Sequence, residues 1–260
     1  MTDLPETVLV TGASSGIGKA LAEIFAAEGS RLVLVARSAD MLEELAVQLR
    51  KTHATEVLVI PQDLSLRGAA DAVFQTLDQA GWSVDVLVNN AGFGAHGDFW
   101  DIALERQLEM IQLNVAALVH LTYRALPRMI ERRRGTILNV GSTAAFQPGP
   151  HAAIYFATKA FVLSFSEALW SEVRPHNIFI TCLCPGPTRT NFGSEYNLTE
   201  SQGFRWAGME ATEVARAGHL ALRRGRRTVI PGFLNKLVAL FSRIAPRRLL
   251  IWAAGAFNRK

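Results

Sequence analysis

The chain has 260 residues, 49% of them hydrophobic and 19% charged, which is enough for one large α/β domain with a substantial core. No apolar run reaches the length of about 18 residues that a membrane span needs. The net charge of +4 hides an asymmetry: no acidic residue follows Glu213 while 11 Lys and Arg lie from Arg216 to Lys260, so positions 1–215 hold 16 basic and 23 acidic residues, a net of −7.

Short β-branched runs alternate with longer helical patterns. Strands are expected at Thr7–Val10, Arg31–Val35, Val57–Ile60, Val84–Val88, Thr136–Val140 and Ile178–Cys182, with a last short one at Thr228–Ile230. Helices are expected at Gly16–Glu28, Ala39–Arg50, about Leu66–Ala80, about Ile102–Arg132, and through Tyr155 to about Val173. Continuous apolar strands separated by helices argue for a parallel sheet covered on both faces. No repeat, low-complexity stretch or linker interrupts the order, so residues 1–260 read as one domain. The start, Met1 to Glu6, is acidic and lacks the basic-then-apolar plan of a signal peptide. Cys182 and Cys184, two apart in a strand, read as buried free thiols on one face. Both features lead to the expectation of a reducing, cytoplasmic setting.

The first strand runs straight into Thr11-Gly12-Ala13-Ser14-Ser15-Gly16-Ile17-Gly18, and a helix follows at once. Glycines there allow a tight turn and close approach to a pyrophosphate, and the helix N-terminus offers N–H groups and partial positive charge. The spacing is G-x-x-x-G-x-G rather than G-x-G-x-x-G. After the second strand, where NAD sites usually hold Asp or Glu for the ribose 2′-hydroxyl, stand Ala36, Arg37 and Ser38. A guanidinium there suits a 2′-phosphate, which favours NADP(H) over NAD(H). Asp63, in Pro61-Gln62-Asp63-Leu64-Ser65, either accepts from an adenine amino group or caps the helix near Leu66. Asn89-Asn90-Ala91-Gly92 is a polar turn, able to pack beside a cofactor.

Tyr155 and Lys159 lie four apart on one helical face. A phenol near a fixed ammonium is a candidate acid/base, because the positive charge favours the phenolate of a group whose ordinary pKa is about 10. The plainer reading of the same spacing is a packed ring and a solvated amine. Arg132, Arg133 and Arg134 suit a helix C-terminus and require no nucleic acid, and no metal-ligand spacing is visible. The tail, about 233–260, combines Phe233, Leu234, Leu237, Val238, Leu240 and Phe241 with Leu249, Leu250, Ile251 and Trp252 among dispersed cations, and Pro246 interrupts it. It reads as a basic amphipathic helical extension that serves as a subunit contact or a cap over the domain, with an anionic membrane surface as the sharper alternative.

TGASSGIG at 11–18, Asp63, NNAG at 89–92, Asn114, Ser142, YFATK at 155–159 and PGPTRT at 185–190 occur in one order, each after an expected strand or on a helix. Over about Thr7 to Thr190 the chain resembles the short-chain dehydrogenase/reductases of the common type. That resemblance implies a Rossmann-like, doubly wound parallel sheet of about seven strands with helices on both faces. It also implies roles. Tyr155 is the acid/base, and Lys159 holds the nicotinamide ribose and lowers the tyrosine pKa. Ser142 bonds the substrate oxygen, and Asn114 holds a water that links the lysine to solvent. Gly12, Ser14, Ser15, Gly16, Ile17, Gly18, Asp63, Leu64, Asn90, Ala91 and Gly92 contact the dinucleotide, and Tyr155 touches it as well. Ser14, Arg37 and Ser38 match the 2′-phosphate positions of NADP-dependent members, and the loop through Pro185, Gly186, Thr188 and Thr190 meets the carboxamide.

The expected reaction is hydride transfer between NADPH and a carbonyl, with Tyr155 giving the proton to a small-molecule ketone, aldehyde or alcohol. Aromatics in the loop Phe93–Trp100, with Phe146, Phe192, Tyr196, Phe204 and Trp206, suggest an apolar substrate beneath a mobile lid at Asn191–Glu210. A homodimer or homotetramer is implied through the helices carrying Asn114 and Tyr155. Other readings stay open: an NADP(H)-binding regulatory or scaffold protein without turnover, an epimerisation or dehydration on the same fold, or a lipid- or steroid-like substrate met at a membrane surface. His96 and His151 read as substrate-loop or surface residues.

Overall fold

A computed structural model describes residues 5–190 and 208–258. Among these residues, strands β1 (Thr7–Thr11), β2 (Arg31–Ala36), β3 (Val57–Pro61), β4 (Val86–Asn89), β5 (Gly135–Val140), β6 (Ile178–Leu183) and β9 (Thr228–Val229) form one sheet in the order β3-β2-β1-β4-β5-β6-β9. Every pairing in it is parallel, with Val8 opposite both Leu32 and Val86. β7 (Thr188–Arg189) and β8 (Met209–Glu210) make a separate short parallel pair. Helices are α1 (Gly16–Ala27), α2 (Ala39–His53), α3 (Ala69–Ala80), α4 (Leu104–Ile111), α5 (Leu118–Arg132), α6 (Ala153–Val173), α7 (Ala211–Arg223), α8 (Phe233–Ile244) and α9 (Arg247–Asn258).

Side chains alternate across the sheet, so each strand feeds two cores. Val8, Val10, Leu32 and Leu34 pack with Leu21 of α1, Leu42 of α2 and Val214 of α7 on one face. Leu9, Val33 and Val35 pack with Val73 of α3 and Leu121 and Met129 of α5 on the other. Burial on both faces explains why these strands read as unbroken apolar runs. β1 has β2 on one side and β4 on the other, so the strand order reverses there. Ligands of such sheets bind at that reversal, beyond the C-terminal strand ends.

Two helices differ from the sequence expectation. α3 starts at Ala69 rather than near Leu66, because Gly68 sits in the left-handed region at φ 79° and Leu66 is exposed. The segment expected as one helix from Ile102 to Arg132 is α4 and α5 joined by a wider π-helical winding at Gln112–Ala117, with Pro127 inside α5. Such windings absorb one extra residue and concentrate at functional sites; this one contains Asn114. No helix among the described residues is long and apolar enough to cross a membrane.

Candidate active site

The glycine turn and the turn after β4 are stitched together. Thr11 Oγ1 donates to Val88 O at 3.1 Å and accepts from the backbone N–H of Asn90 at 2.9 Å and of Ala91 at 3.0 Å. Asn90 Nδ2 donates to Thr11 O at 2.9 Å and Gly12 O at 3.1 Å. The sequence reads Asn90 as a turn polar and, by resemblance, a dinucleotide contact; in the fold its side chain is a strut that fixes the path of the glycine turn. Gly12 and Gly16 both have positive φ, 63° and 57°, which favours glycine there. Ser15 precedes α1 without capping it through its side chain, so the first-turn N–H groups keep no side-chain partner from Ser15.

Asp63 turns out to brace its own loop. Its Oδ1 accepts from the Ser65 N–H at 2.9 Å and the Ser65 hydroxyl at 2.6 Å, a local turn rather than a cap on α3. Arg37 and Ser38 are exposed at the end of β2. Arg37 makes no ion pair among the described residues, although it lines the cavity described next.

A continuous cavity of about 1100 Å³ runs along the C-terminal sheet edge. Gly12, Ser14, Ser15, Gly16, Ile17, Arg37, Ser38, Asp63, Leu64, Asn90, Ala91 and Gly92 border one end. Ser142, Tyr155, Lys159, Pro185, Gly186, Thr188 and Thr190 border the middle. Gly18 and Asn114 lie behind its wall, both buried. The volume exceeds the range of about 300–1,000 Å³ usual for one small ligand, so it has room for two.

Ser142 follows β5 and opens a short 3₁₀ turn, Thr143–Phe146, where its Oγ accepts from Ala144 N–H at 3.1 Å. It shares a hydrogen bond with the Tyr155 phenol. Tyr155 is half-buried on the cavity wall, and desolvation pushes its phenol above the ordinary tyrosine value while Ser142 works against that rise. Lys159 is 6% exposed and donates to Val140 O at 2.9 Å. Its Nζ lies 5.8 Å from the Tyr155 ring centroid. Burial brings its ammonium down to about 8, opposed by the nearby thiols of Cys182 and Cys184. The expectation that Lys159 depresses the tyrosine pKa therefore meets a stronger force here: burial disfavours both charged forms.

Asn114 is a brace. Its Oδ1 accepts from Phe93 N–H at 3.0 Å, and its Nδ2 donates to Phe93 O at 2.8 Å and Thr158 Oγ1 at 3.1 Å. Thr158 in turn donates to Tyr155 O at 2.8 Å. The turn after β4 is thereby welded to α6 one residue before Lys159. Both Asn114 amide hydrogens are committed, which leaves the side chain only acceptor capacity. Thr158 escapes the sequence reading; its signal is its place inside Tyr155–Lys159. Asn139 also escapes it: its Oδ1 accepts from Asn89 of the expected polar turn at 2.9 Å, and its Nδ2 donates to Ser166 Oγ.

The far end of the cavity is closed by the tail. Leu234, Leu237, Val238 and Phe241 of α8 and Leu250 and Ala254 of α9 line it, with Gln147 and Phe156 opposite. The capping alternative for the tail thus holds. Asn258 Nδ2 donates to Pro150 O at 2.9 Å, and His96 Nε2 meets Asn258 O at 2.6 Å, so the end of α9 is pinned to the loops beside the cavity. His151 Nδ1 meets Asp98 Oδ1 at 2.6 Å in the same loops. Of the loop Phe93–Trp100, only Phe93, Gly94 and Ala95 line the cavity, while Phe99 and Trp100 are exposed and Phe146 lies outside the lining. Phe192, Tyr196, Phe204 and Trp206, with most of the expected lid, lie outside the described residues.

Residues 6–201 match the family model described as short chain dehydrogenase. The chain belongs to the short-chain dehydrogenase family. It is 34% identical over 189 residues, 71% of its length, to a dehydrogenase/reductase SDR family protein 7-like from Anopheles gambiae, of which the match spans only 60%. A short-chain dehydrogenase from Sphingobium yanoikuyae, solved in complex with NADPH, superposes with a TM-score of 0.82 at 35% identity, over 92% of this chain and 93% of that one. The bulky-bulky ketone specific alcohol dehydrogenase from Comamonas testosteroni superposes with a TM-score of 0.79 at 32% identity, over 96% of this chain and 100% of that one.

Proposed function

We propose that this short-chain dehydrogenase is an NADP(H)-dependent carbonyl reductase that interconverts an apolar ketone or aldehyde and its alcohol. The observation that carries the reading is the meeting of Ser142 and Tyr155 at one cavity wall with Lys159 buried behind them. The other end of the cavity fits a dinucleotide by its chemistry: first-turn N–H groups of α1 that Ser15 does not cap, the hydroxyls of Ser14 and Ser15, and Arg37, a cation with no ion pair among the described residues. A bound NADP(H) supplies or takes the hydride.

The chain's own residues do the remainder. Ser142 and Tyr155 hold the substrate oxygen, and Tyr155 gives it a proton as negative charge develops there. The raised tyrosine pKa keeps that proton in place at neutral pH, which suits reduction. Lys159 lends positive charge behind the phenol and is the local proton reservoir. Asn114 and Thr158 fix the spacing between the turn after β4 and the helix that carries Tyr155 and Lys159. The apolar wall from α8 and α9, and the likeness to a ketone-specific dehydrogenase, support a bulky apolar substrate. NADPH oxidation followed against a panel of apolar ketones and aldehydes tests this. NADPH binding with no carbonyl turned over would favour the regulatory reading instead.

Two further outcomes are expected. Arg37→Ala should raise the KM for NADPH by about tenfold to a hundredfold, the worth of one charge-assisted contact of about 1.5–3 kcal/mol. The KM for NADH should stay near its original value, and steady-state kinetics with both cofactors measure the contrast. Reduction should also decline above about pH 8, where Lys159 loses its proton. Because a lysine is charged below its pKa, the active limb lies on the acid side of that value. A kcat/KM profile of Lys159→Met should lack this limb, whereas a limb that persists would assign it elsewhere. Exposed Leu104, Leu108, Tyr123 and Phe161 on α4, α5 and α6 support a homodimer or homotetramer formed through those helices.

A further inference from the structure

We infer that α8 and α9 form a docking surface for an anionic lipid bilayer, lying on it rather than crossing it. The observation is that α8 is an amphipathic helix turned inside out. Its side toward the protein is narrow and made of small or polar residues: Ala239 and Ser242 are buried and Asn235 is half-buried. Ser242 donates to Val238 O at 2.8 Å, and Asn235 donates to Pro231 O at 2.8 Å. The side away from the protein carries Phe233, Leu240 and Ile244 outside the cavity lining, with Phe233 73% and Ile244 76% exposed, and Leu237 and Phe241 where the exposed side borders the cavity. At 3.6 residues per turn these residues, with Leu234 and Val238, span an arc of about 160°. Lys236 and Arg243 fall together at one border of that arc. On α9, Leu250 and Ala254 are buried while Leu249 and Trp252 face out, Trp252 71% exposed. Normal surface helices bury their apolar arc; a helix that shows it to solvent has an apolar partner.

Charge identifies the partner. Arg247 and Arg248 open α9, Arg259 and Lys260 follow in sequence, and neither helix carries an acidic residue. Among the described residues no carboxylate pairs with Lys236, Arg243, Arg247 or Arg248. A two-fold contact between copies would set this one-signed surface against itself. The apolar face of α4–α6 differs in this respect: Arg106 pairs with Glu109 at 2.8 Å, so both signs are present there. Aliphatic and aromatic side chains flanked only by cations match the boundary of an anionic membrane. The same helices wall the cavity, since Leu234, Leu237, Val238 and Phe241 line it. The docking itself does not depend on which reaction the cavity performs.

The test is co-sedimentation of the full chain with vesicles of phosphatidylcholine alone and of equal parts phosphatidylcholine and phosphatidylglycerol, at low and high salt. At low salt, partitioning onto the mixed vesicles should exceed that onto neutral ones by at least about tenfold, and salt should weaken it. Leu240→Asp with Ile244→Asp, two outward positions outside the cavity lining, should abolish it without changing the melting temperature. Lys236→Glu with Arg243→Glu, a polar exchange that does not challenge folding, should weaken binding to anionic vesicles by about tenfold or more. No binding to either vesicle, or equal binding to both, would overturn the inference. So would a charge-reversed protein that binds as before. A smaller oligomer on Leu240→Asp with Ile244→Asp would assign the face to a second copy, and a lowered melting temperature would assign it to packing within the chain; either result also overturns it.

Discussion

Tyr155→Phe is expected to lower kcat for carbonyl reduction by about 10²- to 10⁴-fold, the usual weight of a positioned general acid. NADPH affinity should not change. The phenol touches the cavity beside Ser142, whereas the residues suited to the dinucleotide phosphates lie at the other end. The ring would keep its packing against Phe156, whose centroid lies 6.1 Å away, so only the hydroxyl is lost. Burial holds the phenol above its ordinary pKa, and so essentially every molecule carries the donor proton at neutral pH. The reverse reaction asks the same group to give that proton up first. Alcohol oxidation should therefore be favoured toward alkaline pH, where the phenolate fraction rises. Single-turnover reduction and NADPH fluorescence titration separate the two effects. Full reduction by a folded Tyr155→Phe protein would remove the acid/base assignment, and weakened NADPH binding with intact single-turnover chemistry would leave Tyr155 a cofactor contact alone.

The strands were legible because each is buried on both faces and reads as an unbroken apolar run, Val8-Leu9-Val10 and Leu32 to Val35 being the clearest. The turn residues were legible for a related reason: glycines at positive φ leave a mark that few other residues can mimic. What stayed hidden was placed by distant partners. Asn114 looks like a poor helix former in mid-helix, and nothing local announces that a π-helical winding presents it to Phe93 and Thr158. The lysine's neighbour gave a misleading local argument. Spacing four residues apart puts ammonium and phenol on one face, but it says nothing of desolvation, which here moves both groups toward their neutral forms. The tail's amphipathic pattern was visible, yet periodicity alone cannot tell which side of a helix faces inward. For α8 the small, polar side packs on the protein, while the apolar side is exposed, part of it over the cavity and the rest, at Phe233, Leu240 and Ile244, away from it.

Gly18→Ala should be as damaging to the dinucleotide end as Tyr155→Phe is to the chemistry. A Cβ at Gly18 would lie 2.3 Å from Gly12 O and 2.4 Å from Asn90 Nδ2. Neither neighbour can yield easily. Gly12 O belongs to the backbone of the turn, and Asn90 Nδ2 is the strut that bonds both Thr11 O and Gly12 O. Relief requires moving α1 away from the turn, and that displaces the first-turn N–H groups suited to phosphate. Overpacking of this kind costs about 1–3 kcal/mol, which for a chain of this size lowers the melting temperature by roughly 3–10 °C. A shift of about 1 Å in those donors should weaken NADPH binding by about a hundredfold, the scale set by misplacing a positioned group. Gly29→Ala is the matched control: its φ is 81°, but no atom lies within 4 Å of the added Cβ. It should lose only the strain of a left-handed alanine, about 1–2 kcal/mol, and bind NADPH as before. Calorimetry and a fluorescence titration of both variants decide the matter. If Gly18→Ala and Gly29→Ala lost stability equally and both kept full NADPH affinity, the contact between α1 and the turn would be packing alone, and the phosphates would have to be held elsewhere along the cavity.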